Sequence, residues 1–385
     1  MAGLFVLMGS GETSPTMVEV HRSAARALGG RPRAVLLDTP YAFQENAADI
    51  SARARDYFAR SVGLDVAVGA DVAGADWVFS GPGSPTYALD RWSEGPLGAD
   101  LRSRVAAREG VTVLASAAAC TAGVATVPVY EIYKVGAPPH WREGLDLLGP
   151  LGLRAVVIPH YDNTEGGTHD TRYCYLGERR LTLMEAELDD DVSVLGLDEH
   201  TAVTVDLGTG RVTVAGRGGL TIRRHGVQTR LPAGTVTDLA GLRDLAHGAA
   251  VAASPPAPPA TAADVTLAEV MSGCADRFTS ALAGYDGPEA AAAVLDLEAE
   301  ILRWSADTEA DEGGVEQARD ALRLMIAKLG ASAGHTDRVV AAVVALRAEL
   351  RARGDYRAAD ELRRALATAG VTVQDAGDGP RWELL

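Results

Sequence analysis

Short apolar runs that alternate with helical stretches constrain the fold of the first half of the chain more than any other feature. Several of these runs contain no charged residue, which is typical of strands covered on both faces. The alternation predicts right-handed crossovers and a mostly parallel sheet, with functional residues beyond the carboxyl ends of the strands. The predicted strands are Leu4–Met8, Ala34–Leu37, Asp65–Val68, Trp77–Ser80, Val111–Ala115 and Ala155–Ile158, and the predicted helices are Thr16–Ala27, Phe43–Ser61 and Gly98–Arg108.

The pattern changes after Val192, where short strands follow one another without intervening helices. The turn at Gly208–Gly210 favours an antiparallel hairpin addition to the sheet. Residues 248–262 then carry four prolines among small residues, which forbid a continuous helix and indicate a semi-extended linker. The strands predicted between Val192 and this linker are Ser193–Leu197, Thr201–Asp206, Arg211–Ala215 and Leu220–Arg223.

Beyond the linker, an Ala/Leu/Arg/Glu pattern predicts helices and a small terminal hairpin. We therefore expect an α/β fold, with a flavodoxin-like, mostly parallel sheet, helices on both faces and a β-hairpin addition, followed by an all-helical bundle. The predicted domains are 1–247 and 263–385, joined by the linker 248–262. The C-terminal helices are predicted at Thr266–Leu282, Pro288–Ala306, Gly314–Leu329, Thr336–Arg353 and Tyr356–Ala369, and the hairpin at Val371–Gln374 and Arg381–Leu384.

The charge and cysteine content exclude several classes of protein. With 36 basic and 52 acidic residues and a net charge of -16, the surface as a whole does not suit nucleic acid, although a local basic strip remains compatible. The three cysteines form no Cys-x-x-Cys pair, which argues against a disulfide framework or a structural zinc site. Neither a membrane span nor a signal peptide is expected, so we predict a cytoplasmic protein without a membrane partner.

Ser116 lies at the end of a predicted strand, among small residues. The run Ala115-Ser-Ala-Ala-Ala119 would permit a sharp strand-to-helix turn that presents a hydroxyl at the sheet edge. The alternative is that Ser116 caps a helix and the alanines merely pack it.

Five segments, in the same order along the chain, resemble the aspartyl dipeptidase and cyanophycinase family of serine peptidases. That family has a class I glutamine amidotransferase-like fold, and the resemblance runs through most of residues 4–206. The segments are Leu7-Met-Gly-Ser-Gly-Glu12, Phe79-Ser-Gly-Pro-Gly83, Ala115-Ser-Ala-Ala-Ala119, Pro159-His-Tyr161 and Leu195-Gly-Leu-Asp-Glu-His-Thr-Ala202.

The resemblance implies a catalytic triad of Ser116 as nucleophile, His160 as base and Glu131 as the carboxylate that orients the histidine. A hydroxyl needs a neutral imidazole within hydrogen-bond reach, and a third group must fix its tautomer. The Ala117 amide and an amide of the Gly81–Gly83 turn, with Gly81 and Gly83 as candidates, would hold the oxyanion. By the same resemblance, acidic substrate groups would bind to Arg172, Arg179 and Arg180.

Three alternatives remain open from the sequence. Leu114 and Ala118 stand where the family has glycines, which is compatible with an inactive version of the fold. Cys120 is an alternative nucleophile, against a buried structural thiol. A divalent metal is a further option, for which the ligands would be His160, Asp162, His169 and Asp170. Our preferred interpretation requires no metal and no cofactor.

The second region resembles the C-terminal part of cysteinyl-tRNA synthetases over roughly residues 264–385. The resemblance rests on Leu346–Arg363, similar to the anticodon-side helices, and on Gly370–Trp382, similar to the terminal wing. The synthetase catalytic motifs are not in the sequence. The resemblance implies that this region binds tRNA. The alternative is that it serves for dimerisation or packing. The candidate tRNA-binding residues are Arg347, Arg351, Arg353, Arg357, Arg364 and Trp382.

The sequence therefore predicts a serine hydrolase that attacks a peptide or other acyl bond, on an acidic or tRNA-linked substrate. The alternative is a catalytically inactive peptidase-like fold that binds tRNA or protein. A homodimer is compatible with either.

Overall fold

The computed structural model describes residues 3–165, 169–249, 266–305, 314–376 and 379–384. The chain separates into two compact units. One comprises Met1–Leu267 with Ile301–Val315, and the other comprises Ala268–Glu300 with Glu316–Leu385. The predicted linker, 248–262, falls almost entirely outside the described residues.

Strands and helices alternate as expected through the first unit. Its strands are β1 Leu4–Met8, β2 Ala34–Leu37, β3 Val66–Val68, β4 Trp77–Ser80, β5 Val111–Ala115, β6 Ala125–Thr126, β7 Arg142–Glu143, β8 Ala155–Ile158, β9 Ser193–Leu197, β10 Thr201–Asp206, β11 Arg211–Gly216, β12 Gly219–Arg224, β13 Val227–Pro232 and β14 Val236–Asp238. Its helices are α1 Val18–Leu28, α2 Ala47–Tyr57, α3 Pro85–Glu94, α4 Leu97–Ala107, α5 Ser116–Cys120, α6 Val129–Tyr133, α7 Gly177–Glu185 and α8 Leu239–Ala246.

The main sheet has eight strands in the order β14-β11-β10-β1-β5-β4-β2-β3. The five strands from β1 to β3 in this order are parallel, and β10 pairs antiparallel to β1. Successive side chains of a strand point to opposite faces. In β1, Phe5 and Leu7 therefore join one buried cluster while Val6 and Met8 join another. This explains the unbroken apolar runs and confirms the parallel sheet covered on both faces.

The strand β8 differs from the expectation, because it does not belong to the main sheet. It pairs in parallel with β9 in a second sheet of order β13-β12-β9-β8. The predicted hairpin at Gly208–Gly210 is confirmed, because β10 and β11 pair antiparallel and join the main sheet beside β1, whereas β8, β9, β12 and β13 form a separate sheet. A Cβ built on Gly196 of β9 would lie 2.3 Å from the Tyr161 ring. Glycine at this position thus lets the segment after β8 cross directly over β9.

Several short helices were not predicted from the sequence. Helix α3 begins after the glycine turn, where the Ser84 hydroxyl accepts a hydrogen bond from the Tyr87 amide at 3.1 Å. The predicted helix Phe43–Ser61 is α2 followed by one π turn, Phe58–Val62. The α6 and α7 helices are five and nine residues long, too short to show a clear helical period, whereas α5 follows the predicted strand-to-helix turn at Ser116.

The second unit is helical with a terminal hairpin. Residues predicted as two helices, Gly314–Leu329 and Thr336–Arg353, form one continuous helix of 39 residues. The hairpin packs on it around Val340, Val344 and Val373. Among the described residues, no helix combines the length and apolar character that crossing a membrane requires. Remaining elements, some shared with the first unit, are α9 Leu267–Ala283, α10 Gly287–Trp304, α11 Gly314–Ala352, α12 Tyr356–Thr368, β15 Val371–Ala376 and β16 Gly379–Leu384.

Candidate active site

Ser116 occupies a sharp turn between β5 and α5. Its φ is +46°, a left-handed conformation that is uncommon for residues other than glycine, asparagine and aspartate. The flanking Leu114 and Ala118 are fully buried, and the Ala118 amide donates to the Gly81 carbonyl at 3.2 Å. The turn therefore forms although both glycines of the family motif are replaced.

His160 lies just beyond β8, and its imidazole is directed at Ser116. The distance from Ser116 Oγ to His160 Nε2 is 3.0 Å. His160 also has a left-handed backbone, with φ +48°, and its carbonyl accepts a hydrogen bond from the Cys174 amide at 3.1 Å. The predicted hydroxyl and imidazole thus lie within hydrogen-bond distance of each other.

The carboxylate on the other side of the ring belongs to Glu199, not to the predicted Glu131. Glu199 Oε1 lies 2.9 Å from His160 Nδ1 and accepts a second hydrogen bond from Asn163 Nδ2 at 3.0 Å. Glu131 is half-buried elsewhere and accepts a hydrogen bond from the Thr86 hydroxyl at 3.0 Å. The assignment of Glu131 as the orienting residue is therefore wrong.

The pairing of β8 with β9 explains why Glu199 reaches the histidine. The two strands are parallel, with Ile158 opposite Gly196, so their carboxyl ends lie side by side. His160 and Glu199 each follow the last residue of their strand by two positions. The Glu199 amide also donates to Asp162 Oδ1 at 2.7 Å, which ties the two loops together. Assigning β8 to the main sheet hid this juxtaposition, although the motif Leu195–Ala202 contained Glu199.

The electrostatics favour an ionised Glu199. Burial is the largest single influence and acts to raise its pKa. The hydrogen bonds of His160 and Asn163 and the charges of His160 and His200 together outweigh it and place the pKa below its ordinary value. An ionised carboxylate only accepts hydrogen bonds, so His160 Nδ1 carries a proton. In the neutral imidazole, the lone pair of Nε2 then faces the Ser116 hydroxyl. This protonation pattern allows Nε2 to accept a proton from the hydroxyl.

The glycine turn after β4 lies against the Ser116 turn. Within Gly81-Pro82-Gly83, only the two glycines carry an N–H, because proline has none. Gly83 has φ +131°, and a Cβ there would lie 2.1 Å from the Pro40 carbonyl. The turn can therefore offer at most two amides, beside that of Ala117.

The three predicted substrate-binding arginines lie at or just before α7. Arg172 donates two hydrogen bonds to Asp170, both at 2.9 Å, and this hydrogen bonding lowers the pKa of Asp170. Arg179 is exposed, and Arg180 Nη1 donates to the Leu176 carbonyl at 3.3 Å. The charge of Arg172 is thus already matched within the chain.

Neither alternative chemistry gains support from the geometry. Cys120 is fully buried beside the Cys174 thiol, and burial raises the pKa of Cys120 well above its ordinary value. Among the described residues, no three His, Cys, Asp or Glu side chains are grouped to hold a metal ion. Of the proposed ligands, Asp170 pairs with Arg172, and His169 Nε2 lies 3.4 Å from the Tyr133 hydroxyl.

Two of the predicted tRNA-binding side chains are held by contacts within the second unit. Arg347 is fully buried and donates to both Asp375 oxygens, at 2.6 and 2.9 Å. Trp382 is half-buried against the cluster that includes Val344. Arg351 lies 3.8 Å from Asp375. The side chains that remain exposed are Arg353, Arg357 and Arg364.

Comparisons with known proteins support both resemblances. A peptidase from an acI-B1 Actinobacterium has 21% identity, with a TM-score of 0.50 over 62% of this chain and 97% of that chain. A putative peptidase E of Listeria monocytogenes has 14% identity, with a TM-score of 0.40 over 60% of this chain and 100% of that chain. The first likeness shows that the part of this chain that it covers shares the fold of that peptidase.

Cysteine–tRNA ligases match part of the chain. That of Micrococcus luteus is 32% identical over 157 residues, which is 36% of this chain and 30% of the ligase. That of Thermosipho africanus is 28% identical over 130 residues, which is 30% of this chain and 27% of the ligase. The chain thus spans less than a third of the length of these relatives. No protein-family model matches the chain.

We predict that Asp375→Asn destabilises the terminal hairpin, because it leaves the buried Arg347 guanidinium without its counter-charge. Since Asp375 is itself 42% exposed, the expected loss is about 1–3 kcal/mol at pH 7. Native-state amide hydrogen exchange in β15 and β16 measures it. Glu361→Gln, which removes the partner of the 90% exposed Arg357, is the control and should change the exchange little.

The loss should depend on pH with a defined sign. Hydrogen bonding to Arg347 places the folded-state pKa of Asp375 below its ordinary value. The contribution of the pair is therefore complete above the unfolded-state pKa and disappears as the pH falls through the folded-state value. A difference between the parent and Asp375→Asn that grew on acidification would contradict this assignment.

Proposed function

We propose that the first unit is a serine hydrolase that cleaves a peptide or other acyl bond, with Ser116 as nucleophile, His160 as general base and Glu199 as the residue that orients His160. The observation that carries the proposal is the continuous chain of contacts from Ser116 Oγ to His160 Nε2 at 3.0 Å and from His160 Nδ1 to Glu199 at 2.9 Å. A hydroxyl, an imidazole and a carboxylate in this order form the arrangement that activates serine in hydrolases on unrelated folds.

The proposed reaction begins when Ser116 Oγ attacks the acyl carbon while His160 Nε2 takes the hydroxyl proton. The carbonyl oxygen becomes an oxyanion, for which the amides of Ala117 and of Gly81 or Gly83 are the candidate donors. His160 then returns the proton to the leaving group, and an acyl-Ser116 ester remains. Water, deprotonated by His160 in turn, hydrolyses the ester and restores the hydroxyl.

The backbone around Ser116 supports this role. A left-handed serine directly after a buried strand costs roughly 1–3 kcal/mol and persists only where the surroundings determine it. The residues that flank Ser116 are buried. A serine that simply caps a helix has an extended backbone, whereas the backbone of Ser116 is left-handed. The strained turn presents the hydroxyl beyond the edge of the sheet, as a nucleophile requires.

We predict that Ser116→Ala abolishes both hydrolysis and covalent labelling by a fluorophosphonate probe, because the attacking oxygen is removed. Labelling of the intact protein, followed by mass spectrometry of the labelled peptide, measures this. Cys120→Ala is the control and should label like the parent. The proposal would be falsified if the Ser116→Ala protein carried the label.

Glu199→Gln should lower the rate of labelling by about 10²–10⁴-fold, since the amide no longer favours the required tautomer of His160. Glu131→Gln is the matched control, because its side chain bonds Thr86 and not His160. It should retain the rate within a few fold. Equal losses in the two variants would show that Glu199 does not act through the histidine.

We further propose that the second unit binds tRNA, a function supported by the partial similarity to cysteine–tRNA ligases. Arg353 and Arg357 are exposed by 74% and 90%, and each forms an i,i+4 pair at 3.4 Å. Such surface pairs contribute little to stability and leave the guanidinium groups accessible to phosphate.

The double variant Arg353→Glu/Arg357→Glu should weaken tRNA binding and reduce its dependence on salt, because fewer counterions are released. An electrophoretic mobility shift with total tRNA at several salt concentrations measures this. Arg26→Glu/Arg60→Glu, the same charge change at exposed positions of the first unit, is the control. Unaltered affinity in the first double variant would exclude these arginines from a tRNA site.

A further inference from the structure

A row of aromatic rings extends from the imidazole of His160. The Tyr175 ring centroid lies 6.3 Å from that of His160, and the Tyr133 ring lies 5.0 Å beyond Tyr175. The His169 ring stacks on Tyr133 at 6.2 Å with an interplanar angle of 20°. Both tyrosines are half-buried and His169 is exposed, so the row borders the proposed catalytic centre and reaches the surface.

The backbone fixes Tyr175 beside His160 at a conformational cost. Tyr173, Cys174 and Tyr175 are consecutive left-handed residues, with φ of +62°, +55° and +62°. The Cys174 amide bonds the His160 carbonyl at 3.1 Å, and the Tyr175 amide bonds the Thr171 carbonyl at 2.9 Å. Strained segments of this kind cluster at functional sites, where the geometry that they enforce is used.

Charges of opposite sign lie at the two tyrosines, Lys134 at Tyr133 and Glu165 at Tyr175, so a substrate side chain of either charge meets a like charge at one of the rings. Lys134 Nζ lies 5.9 Å from the Tyr133 ring centroid, so a cationic side chain placed there would meet a like charge. Glu165 accepts a hydrogen bond from the Tyr175 hydroxyl at 2.7 Å, and Glu199 contacts His160 Nδ1. An acidic side chain placed beside Tyr175 would therefore meet carboxylates. Arg172, the arginine nearest in sequence, is already paired with Asp170.

From this arrangement we infer that Tyr133 and Tyr175 form the subsite for a neutral aromatic side chain next to the scissile bond. The inference rests on the proposed hydrolase function and names its substrate class. Flat rings stack or meet edge to face at centroid separations of 4.5–7 Å, the range in which the rings of the row already contact each other. The preferred substrates are thus short peptides with an aromatic residue, in place of the acidic residue that the arginines suggested.

The test compares the dipeptides Phe-Ala, Ala-Phe, Asp-Ala, Arg-Ala and Ala-Ala with the intact protein. Hydrolysis is followed by chromatography, and protection of Ser116 from a fluorophosphonate probe reports binding even where turnover is slow. We expect kcat/KM, or protection, for one of the Phe peptides to exceed that for Ala-Ala by about tenfold or more, with Asp-Ala and Arg-Ala below Ala-Ala.

The variants Tyr133→Leu and Tyr175→Leu should each reduce this Phe-to-Ala ratio severalfold while the protein still labels at Ser116. Tyr175→Phe keeps the ring and loses the bond to Glu165, so it should keep the ratio. Tyr285→Leu, at a tyrosine that is 96% exposed in the second unit, is the matched control.

The outcomes distinguish a failure of the aromatic subsite from a failure of the proposed hydrolase function. Labelling at Ser116 with a preference for Asp-Ala, or with equal treatment of all five peptides, overturns the aromatic subsite and leaves the hydrolase standing. A ratio unchanged in both leucine variants does the same. Absence of labelling and of hydrolysis in the parent overturns both.

Discussion

The structure of the candidate site depends on one parallel strand pair, β8 with β9. Because these strands run in the same direction and in register, the residues that follow them emerge at the same edge. His160 and Glu199 are those residues, and their contact at 2.9 Å is a direct consequence of the pairing. Hydrogen bonds of Glu199 with Asn163 and Asp162 then hold the loop after β9 against the loop after β8. Ser116, at the end of β5 in the main sheet, completes the arrangement from the other side.

Backbone strain is concentrated at the positions where this arrangement needs side chains to turn sharply. Ser116 and His160 both have positive φ, as do Tyr173, Cys174 and Tyr175. Each of these conformations costs free energy that burial must offset. Burial offsets this cost at two places. The alanines around Ser116 are buried, and an apolar cluster contains Ile158, Tyr161 and Cys174. Leu114 and Ala118, in place of the family's glycines, are therefore compatible with the tight turn in this chain.

The sequence predicted the features that depend on local periodicity and short motifs. The strands from Leu4 to Ala115, the hydroxyl–imidazole pair and the helical second region all follow from such patterns. It could not predict Glu199 as the partner of His160, because that contact depends on which sheet contains β8. Burial on both faces gives β8 the same apolar run as the strands of the main sheet. The continuity of α11 across a polar stretch was hidden for a similar reason, since no local signal decides between one helix and two.

The arginines show why residue type alone is a weak guide to binding in this chain. With 52 acidic residues against 36 basic ones, an arginine has a high chance of meeting a carboxylate of its own chain. Arg172 meets Asp170 and Arg347 meets Asp375, and each pair uses two hydrogen bonds that an external ligand would have to replace. A bidentate pair exchanges its partner only for a ligand that binds at least as well. Weakly held groups at the surface, such as Arg357, can change partners at small cost. The location of an anion site is therefore decided by which arginines the fold leaves loosely paired, and this property appears only once the two units are folded.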